Sequence, residues 1–136
     1  MSIPKLLFRF GIAYLVLLVV VGVVLYLFGV PGNSGANTAA LLGAVMWACL
    51  SFAQKNQRYF EGQEKRRVVL GMVVIDLVIQ AAFTLGVAAL DPRPLSLGAL
   101  ALVLLFLGAL HALVIYFFIG LAGRQFAKQT AKLGAR

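Results

Sequence analysis

The chain has 136 residues, of which 62% are hydrophobic and 12% are charged. Its mean hydropathy of +1.00 is far above that of a water-soluble domain, which has to cover its surface with polar groups. So short and apolar a chain predicts a single-domain membrane protein, and it argues against nucleic-acid binding and against an extramembrane catalytic module. The formal charge of +8 comes from basic residues at the edges of apolar segments, where membrane spans end.

Four apolar segments are long enough to cross a bilayer, because about 20 helical residues span its hydrocarbon core. We predict membrane-spanning helices over about residues 5–30, 36–58, 67–90 and 95–121. Turn-forming residues separate the first two spans at 31–35 and the last two at 91–94. The short connections predict one domain over residues 1–136, an all-α up-down-up-down bundle with a tail at 122–136.

The distribution of Lys and Arg predicts the orientation. Eleven of the twelve basic residues fall on one side of this topology, and only Arg93 falls on the other. Basic residues in short flanking segments stay in the cytoplasm. We therefore expect both termini to be cytoplasmic.

The predicted cytoplasmic face has a strongly basic surface. Its residues follow the second span, precede the third span or lie in the tail: Lys55, Arg58, Lys65, Arg66, Arg67, Arg124, Lys128, Lys132 and Arg136. Those in the tail recur every four residues, which predicts a basic amphipathic helical extension. Each basic residue near anionic headgroups contributes about 1 kcal/mol of attraction. The surface is expected to contact anionic lipids or a protein partner.

Asp76 lies within the third span, where an acid costs about 2.5–3.5 kcal/mol on insertion scales and needs a partner, a proton or water. Gln80 and Thr84 follow at spacings of four residues, so the three side chains form one polar stripe along the helix. Counting 1.5 Å per residue from Arg67 places Asp76 about 13 Å into the membrane.

Polar residues of two other spans match this stripe in depth. His111 on the fourth span is level with Gln80, Tyr116 is level with Asp76, and Trp47 on the second span is at the level of Asp76. We expect hydrogen bonds from His111 to Gln80 and from Tyr116 to Asp76, with Trp47 as a further donor. Such a cluster either locks the helix register or serves as a proton relay or cation site.

The residues do not predict an enzyme. Cys49 and Ser51 lie near the basic edge of the second span, whereas His111 lies about 20 Å from its own edge, so no nucleophile reaches a base. One Cys, one His and a single intramembrane acid are too few ligands for a metal site. We expect no catalytic residue, no metal and no cofactor.

A glycine- and alanine-rich second span followed by a polar loop carries a family resemblance. The residues are 35–44 (GANTAALLGA), Phe52, Arg58, Glu64, Lys65 and Arg66. This pattern, over about the first half of the chain, resembles a family of short four-span bacterial inner-membrane proteins of unassigned function. The resemblance implies a location in the bacterial inner membrane. The role of Asp76 is not implied by it, because an acid in the third span is not part of the pattern.

Two functional hypotheses follow. The first is a non-enzymatic binding protein of the inner membrane, either an accessory or assembly subunit or an immunity protein against a membrane-acting toxin. The second is a small oligomeric proton-coupled transporter or cation channel that uses Asp76. The first requires a membrane-protein partner, whereas the second requires a homo-oligomer.

Overall fold

The computed structural model describes residues 1–30, 34–90 and 96–134. Its helices are α1 (Ile3–Leu27), α2 (Ser34–Asn56), α3 (Gly62–Leu90) and α4 (Leu97–Gly134). Each of the four is long and apolar enough to cross a membrane, which confirms the prediction of an all-helical membrane protein. Residues 31–33 of the predicted turn at 31–35, the predicted turn at 91–94 and the last tail residue, Arg136, lie outside the described residues. Residues 34 and 35 belong to α2 rather than to a turn.

Two helices extend beyond the predicted membrane spans. Helix α3 begins at Gly62 rather than near residue 67. Helix α4 continues past the predicted end of the span near residue 121 to Gly134, so the described residues of the predicted tail are helical. The backbone N–H of Lys65 donates to the Glu61 carbonyl at 3.1 Å, so this part of the predicted loop is helical. Lys and Arg are good helix formers, and their charge ends a membrane span without ending the helix. Helix α2 ends at Asn56, and the next residue, Gln57, has a left-handed φ of 52°.

Helix α1 packs against α2 and α3, and α4 packs against the same two helices. The start of α1 lies beside the end of α2, because the Met1 ammonium donates to Asn56 Oδ1 and Asn56 Nδ2 donates to the Met1 carbonyl at 3.0 Å. Tyr59, between α2 and α3, donates its hydroxyl to the Ile119 carbonyl of α4. The described basic residues therefore gather around one end of the four helices, which we call the basic end.

Small residues let α2 approach its neighbours. Ala40, Ala44 and Ala48 recur every four residues and are all buried, as close helix packing in a membrane requires. By contrast, Val16 and Val20 on α1 are about half exposed. Such apolar side chains suit contact with lipid, so packing concentrates on the sides of the helices that face one another.

Candidate intramembrane polar site

Asp76 is fully buried, and its carboxyl group contacts side chains of three helices. Tyr14 on α1 donates to Oδ1 at 2.8 Å, and Gln80, one turn along α3, donates Nε2–H to Oδ2 at 2.8 Å. His111 Nδ1 on α4 lies 2.8 Å from the same Oδ2. Partners on both carboxyl oxygens offset the cost of placing an acid in a membrane span.

The remaining helix, α2, joins this hydrogen-bond network through Asn37, whose Oδ1 lies 2.8 Å from the Tyr14 hydroxyl. A hydroxyl has one proton, so Tyr14 donates either to Asp76 or to Asn37. When it donates to an ionised Asp76, the Asn37 amide turns and donates to the tyrosine oxygen. When Asp76 is protonated, its O–H donates to Tyr14 and Tyr14 donates to Asn37. Both arrangements satisfy every atom of this chain of hydrogen bonds.

The short contact between Asp76 and His111 also contains a proton. A separation of 2.8 Å between Oδ2 and Nδ1 requires a hydrogen on one of the two atoms. Gln80 Nε2 also lies 2.8 Å from His111 Nδ1. This amide nitrogen keeps its two hydrogens whether or not the acid and the imidazole are protonated. The acid and the imidazole thus form a hydrogen-bonded pair enclosed by neutral groups.

The sequence prediction was right for one of the two expected pairs. His111 contacts Gln80 as expected, but Tyr116 does not bond Asp76, because its side chain is 57% exposed. Lys65 Nζ lies 4.2 Å from the centre of the Tyr116 ring. Five residues separate His111 from Tyr116, which turns the helix by about 140°. Matching the residues by depth alone overlooked this rotation.

Trp47 and Thr84 also lie outside the set of groups that bond Asp76. Trp47 is 51% exposed and faces away from the network, so the prediction that it donates at this level is wrong. Thr84 remains on the polar side of α3, where its hydroxyl donates to the Gln80 carbonyl at 2.8 Å. It extends the polar stripe towards the end of α3.

Sequence reasoning missed Tyr14 and Asn37. The available signal was a tyrosine in the middle of an aliphatic span and an asparagine in the first turns of the next helix. Each bond joins residues more than 20 positions apart in the chain, 23 from Tyr14 to Asn37 and 62 from Tyr14 to Asp76. Only the packing of α1 against α2 and α3 brings these groups together.

A cavity of about 330 Å³ adjoins the network. Its polar wall consists of Tyr14, Asn37, Gln80 and Thr84, and all four helices contribute to its lining. The lining also includes Phe83, whose side chain is 53% exposed, so the cavity lies between the helices and reaches their outer surface. Asp76 itself is behind this wall, in contact with two of the lining side chains.

The basic end has a separate polar arrangement. Arg58 donates two hydrogen bonds to the Glu64 carboxylate, at 2.7 and 2.8 Å, and its guanidinium lies 5.8 Å from the centre of the Phe52 ring. The hydrogen bonds and the charge of Arg58 lower the pKa of Glu64 to about 2, and the same contact raises the pKa of Arg58. Burial raises the pKa of Tyr59, whose ring packs on Gly123.

The other predicted surface residues remain accessible. The exposed ones are Lys55, Arg58, Arg66, Arg67, Arg124, Lys128 and Lys132, while Lys65 is partly buried. Cys49 is buried and makes no disulfide. Within residues 1–30, 34–90 and 96–134, no three His, Cys, Asp or Glu side chains are grouped as metal ligands.

Comparison with protein-family models, curated proteins and solved structures finds no match to this chain.

Proposed function

We propose that the protein is a non-enzymatic integral membrane protein that acts by binding a membrane-protein partner through its basic end. The partner role is that of an accessory or assembly subunit, or of an immunity protein that occludes a membrane-acting toxin. The proposed topology is up-down-up-down with both termini cytoplasmic, which follows from the side on which the basic residues gather. The bacterial inner membrane is the location that the sequence resemblance implies.

The observation that carries this proposal is the surplus of accessible cations at the basic end. Arg58 is neutralised by Glu64, but Arg66 and Arg124 are exposed and form no ion pair with a carboxylate among the described residues. Anionic headgroups or acidic groups of a partner would neutralise them. The last turns of α4 present further cations, so this surface extends beyond the bilayer.

Affinity purification tests partner binding. The tagged full-length protein is isolated from its native membrane in mild detergent, and the co-purifying chains are identified by mass spectrometry. We expect one stoichiometric partner, whose recovery falls at least about tenfold when Lys128 and Lys132 are both changed to Gln, since the contact is electrostatic.

The matched control changes both residues to Arg, which keeps the charge, and the partner should then be retained. A protein that purifies only as a homo-oligomer would contradict the proposal. So would a partner that both variants retain equally, because the basic surface would then not be its binding site.

The second candidate is a proton-coupled transporter or cation channel, which the cavity beside Asp76 favours. Four helices rarely enclose an aqueous path alone, so this candidate requires a dimer or larger assembly. Asp76→Asn is expected to abolish proton or cation flux in proteoliposomes while the protein still elutes as a folded species. Equal flux in the variant would eliminate this candidate.

A further inference from the structure

We propose that Asp76 and His111 form a proton-binding site that exchanges its proton with only one side of the membrane, the side opposite the basic end, through the 330 Å³ cavity. The inference does not depend on partner binding. It would hold for either candidate function, and it is tested without a partner or a transport assay.

The charge of the network indicates that it binds one proton. With Asp76 ionised and His111 neutral, the buried pair carries a net charge of −1, and one added proton makes it neutral. The groups that face Asp76 from the other helices are Tyr14, Asn37 and His111, and none of them supplies a fixed positive charge. An uncompensated charge is costly in a membrane interior, and one proton added to the pair removes that charge.

No other charged side chain among residues 1–30, 34–90 and 96–134 bonds to this pair. The other described Lys, Arg, Asp and Glu residues all lie towards the basic end. Among them, Arg58 and Glu64 form an ion pair with each other. The side from which water reaches the pair therefore decides from which side a proton can arrive.

An apolar layer separates the network from the basic end. One helical turn from the network residues towards that end lie Phe10 on α1, Leu41 on α2, Met72 on α3 and Ile115 on α4. All four side chains are fully buried, and the Phe10 ring stacks on Tyr14 with centroids 5.8 Å apart. Each helix thus contributes one apolar side chain to a layer that contains no hydrogen-bonding side chain for water.

The cavity lies on the other side of the network. Its lining includes Leu18, Thr84 and Leu107, which are displaced from the network residues in the direction away from the basic end. Its volume is large enough to hold several water molecules. Gln80 Oε1 bonds no described residue, whereas its Nε2 contacts Asp76 and His111, so the amide can bind cavity water and the pair together.

Tyr14 provides the proton path, because it lines the cavity and contacts Asp76 Oδ1. In uptake, a hydronium ion in the cavity gives a proton to the tyrosine oxygen while the original hydroxyl proton passes to Oδ1. Water remains in the cavity, Tyr14 is again a neutral hydroxyl, and Asp76 becomes a carboxylic acid. Asn37 then accepts from Tyr14, in the arrangement with Oδ1 2.8 Å from the hydroxyl. Release reverses these steps.

Cysteine accessibility tests the side of access. In a Cys49→Ala background, Thr84→Cys and Leu18→Cys place thiols in the cavity, Gln57→Cys marks the basic end and Met72→Cys probes the apolar layer. Vesicles of both orientations receive a charged, membrane-impermeant methanethiosulfonate. We expect the two cavity thiols to react only from the side where the Gln57→Cys thiol is protected, and the Met72→Cys thiol to react from neither side.

The second cavity variant guards against misfolding of the first, and gel-filtration profiles identify a folded protein. Reaction of the cavity thiols from the same side as the Gln57→Cys thiol would overturn the proposal. So would their complete protection from both sides, because the cavity would then be closed to water.

Infrared spectroscopy of proteoliposomes tests the proton itself. A protonated-carboxyl band that is absent from Asp76→Asn should weaken when pH is raised on the cavity side and remain when it is raised on the basic-end side. In Tyr14→Phe, hydrogen–deuterium exchange of this carboxyl should slow by about a hundredfold or more, since the relay hydroxyl is lost. A band that responds to the basic-end side, or no Asp76 band at any pH, would overturn the proton site. Unchanged exchange in Tyr14→Phe would overturn the relay.

Discussion

Two carboxyl groups in this protein bond similar numbers of donors in opposite surroundings. At the exposed basic end, Glu64 accepts two hydrogen bonds from Arg58, which is six residues away in the chain. Asp76 contacts Tyr14, Gln80 and His111 in the buried interior, and two of these partners are on other helices. Bulk water can replace either partner at the basic end, whereas it does not reach the fully buried Asp76 directly. Solvent access, more than the number of bonds, sets the energetic importance of each site.

The two sites also act over different lengths of chain. The bond between Arg58 and Glu64 stabilises the short connection between α2 and α3, two helices that are already consecutive in the chain. The Asp76 bonds span 62 and 35 residues and join α3 to α1 and α4. A change at Asp76 should therefore affect the whole bundle, and a change at Glu64 only one connection.

Replacing Asp76 with Leu should have the largest effect. The substitution leaves Tyr14, Gln80 and His111 without their shared acceptor, and we expect it to destabilise the protein by about 3 kcal/mol. Unfolding by a denaturing detergent in mixed micelles measures the change. Asp76→Asn, which keeps the shape and one acceptor, should lose less. Equal stability of Asp76→Leu and the unaltered protein would show that the network does not hold the helices together.

A close approach at the basic end should produce the next largest effect. A Cβ at Gly123 would lie 2.7 Å from the Tyr59 ring, and the hydrogen bond to Ile119 holds that ring in place. We expect Gly123→Ala to destabilise by about 2 kcal/mol through overpacking. Gly120→Ala is the matched control, because no neighbouring atom lies within 4 Å of its Cβ position. If both variants unfold alike, the Tyr59 contact does not restrict this helix.

Removing one hydroxyl from the network should have a moderate effect. Tyr14→Phe deletes the bonds to Asp76 and Asn37 but keeps the ring, so we expect a loss of about 1 kcal/mol in the same unfolding assay. Tyr116→Phe removes a hydroxyl from an exposed tyrosine and should leave stability unchanged. The reverse order of effects would favour the pairing of Tyr116 with Asp76 that the sequence suggested.

The smallest effect should be the acid sensitivity of the basic end. The pKa of Glu64 is lowered from 4.5 to about 2 in the folded protein, so its contribution is present above pH 4.5 and is lost as pH falls towards 2. Glu64→Gln should remove this part of the pH dependence, and the difference from the unaltered protein should shrink steadily in acid. A difference that is independent of pH would mean that the pair with Arg58 does not stabilise the fold.

Features that depend on residues close together in the chain could be predicted from the sequence, whereas features that depend on contacts between distant helices could not. The four spans could be read from apolar runs, because lipid exposure and helix length constrain every segment locally. The polar stripe of Asp76, Gln80 and Thr84 followed from helical spacing in the same way. Tyr14 and Asn37 could not be assigned, since their roles depend on which helices are neighbours and how each is rotated about its axis.

The sequence by itself determined that this is a four-helix membrane protein with its described cations at one end and an acid inside. The hydrophobic effect and the cost of exposed backbone in lipid impose those features residue by residue. The tertiary structure alone decided that Asp76 meets Tyr14 rather than Tyr116, and that one side of the network is sealed by apolar side chains while the other adjoins a cavity. These outcomes depend on the rotation of each helix, which is fixed only when all four pack together.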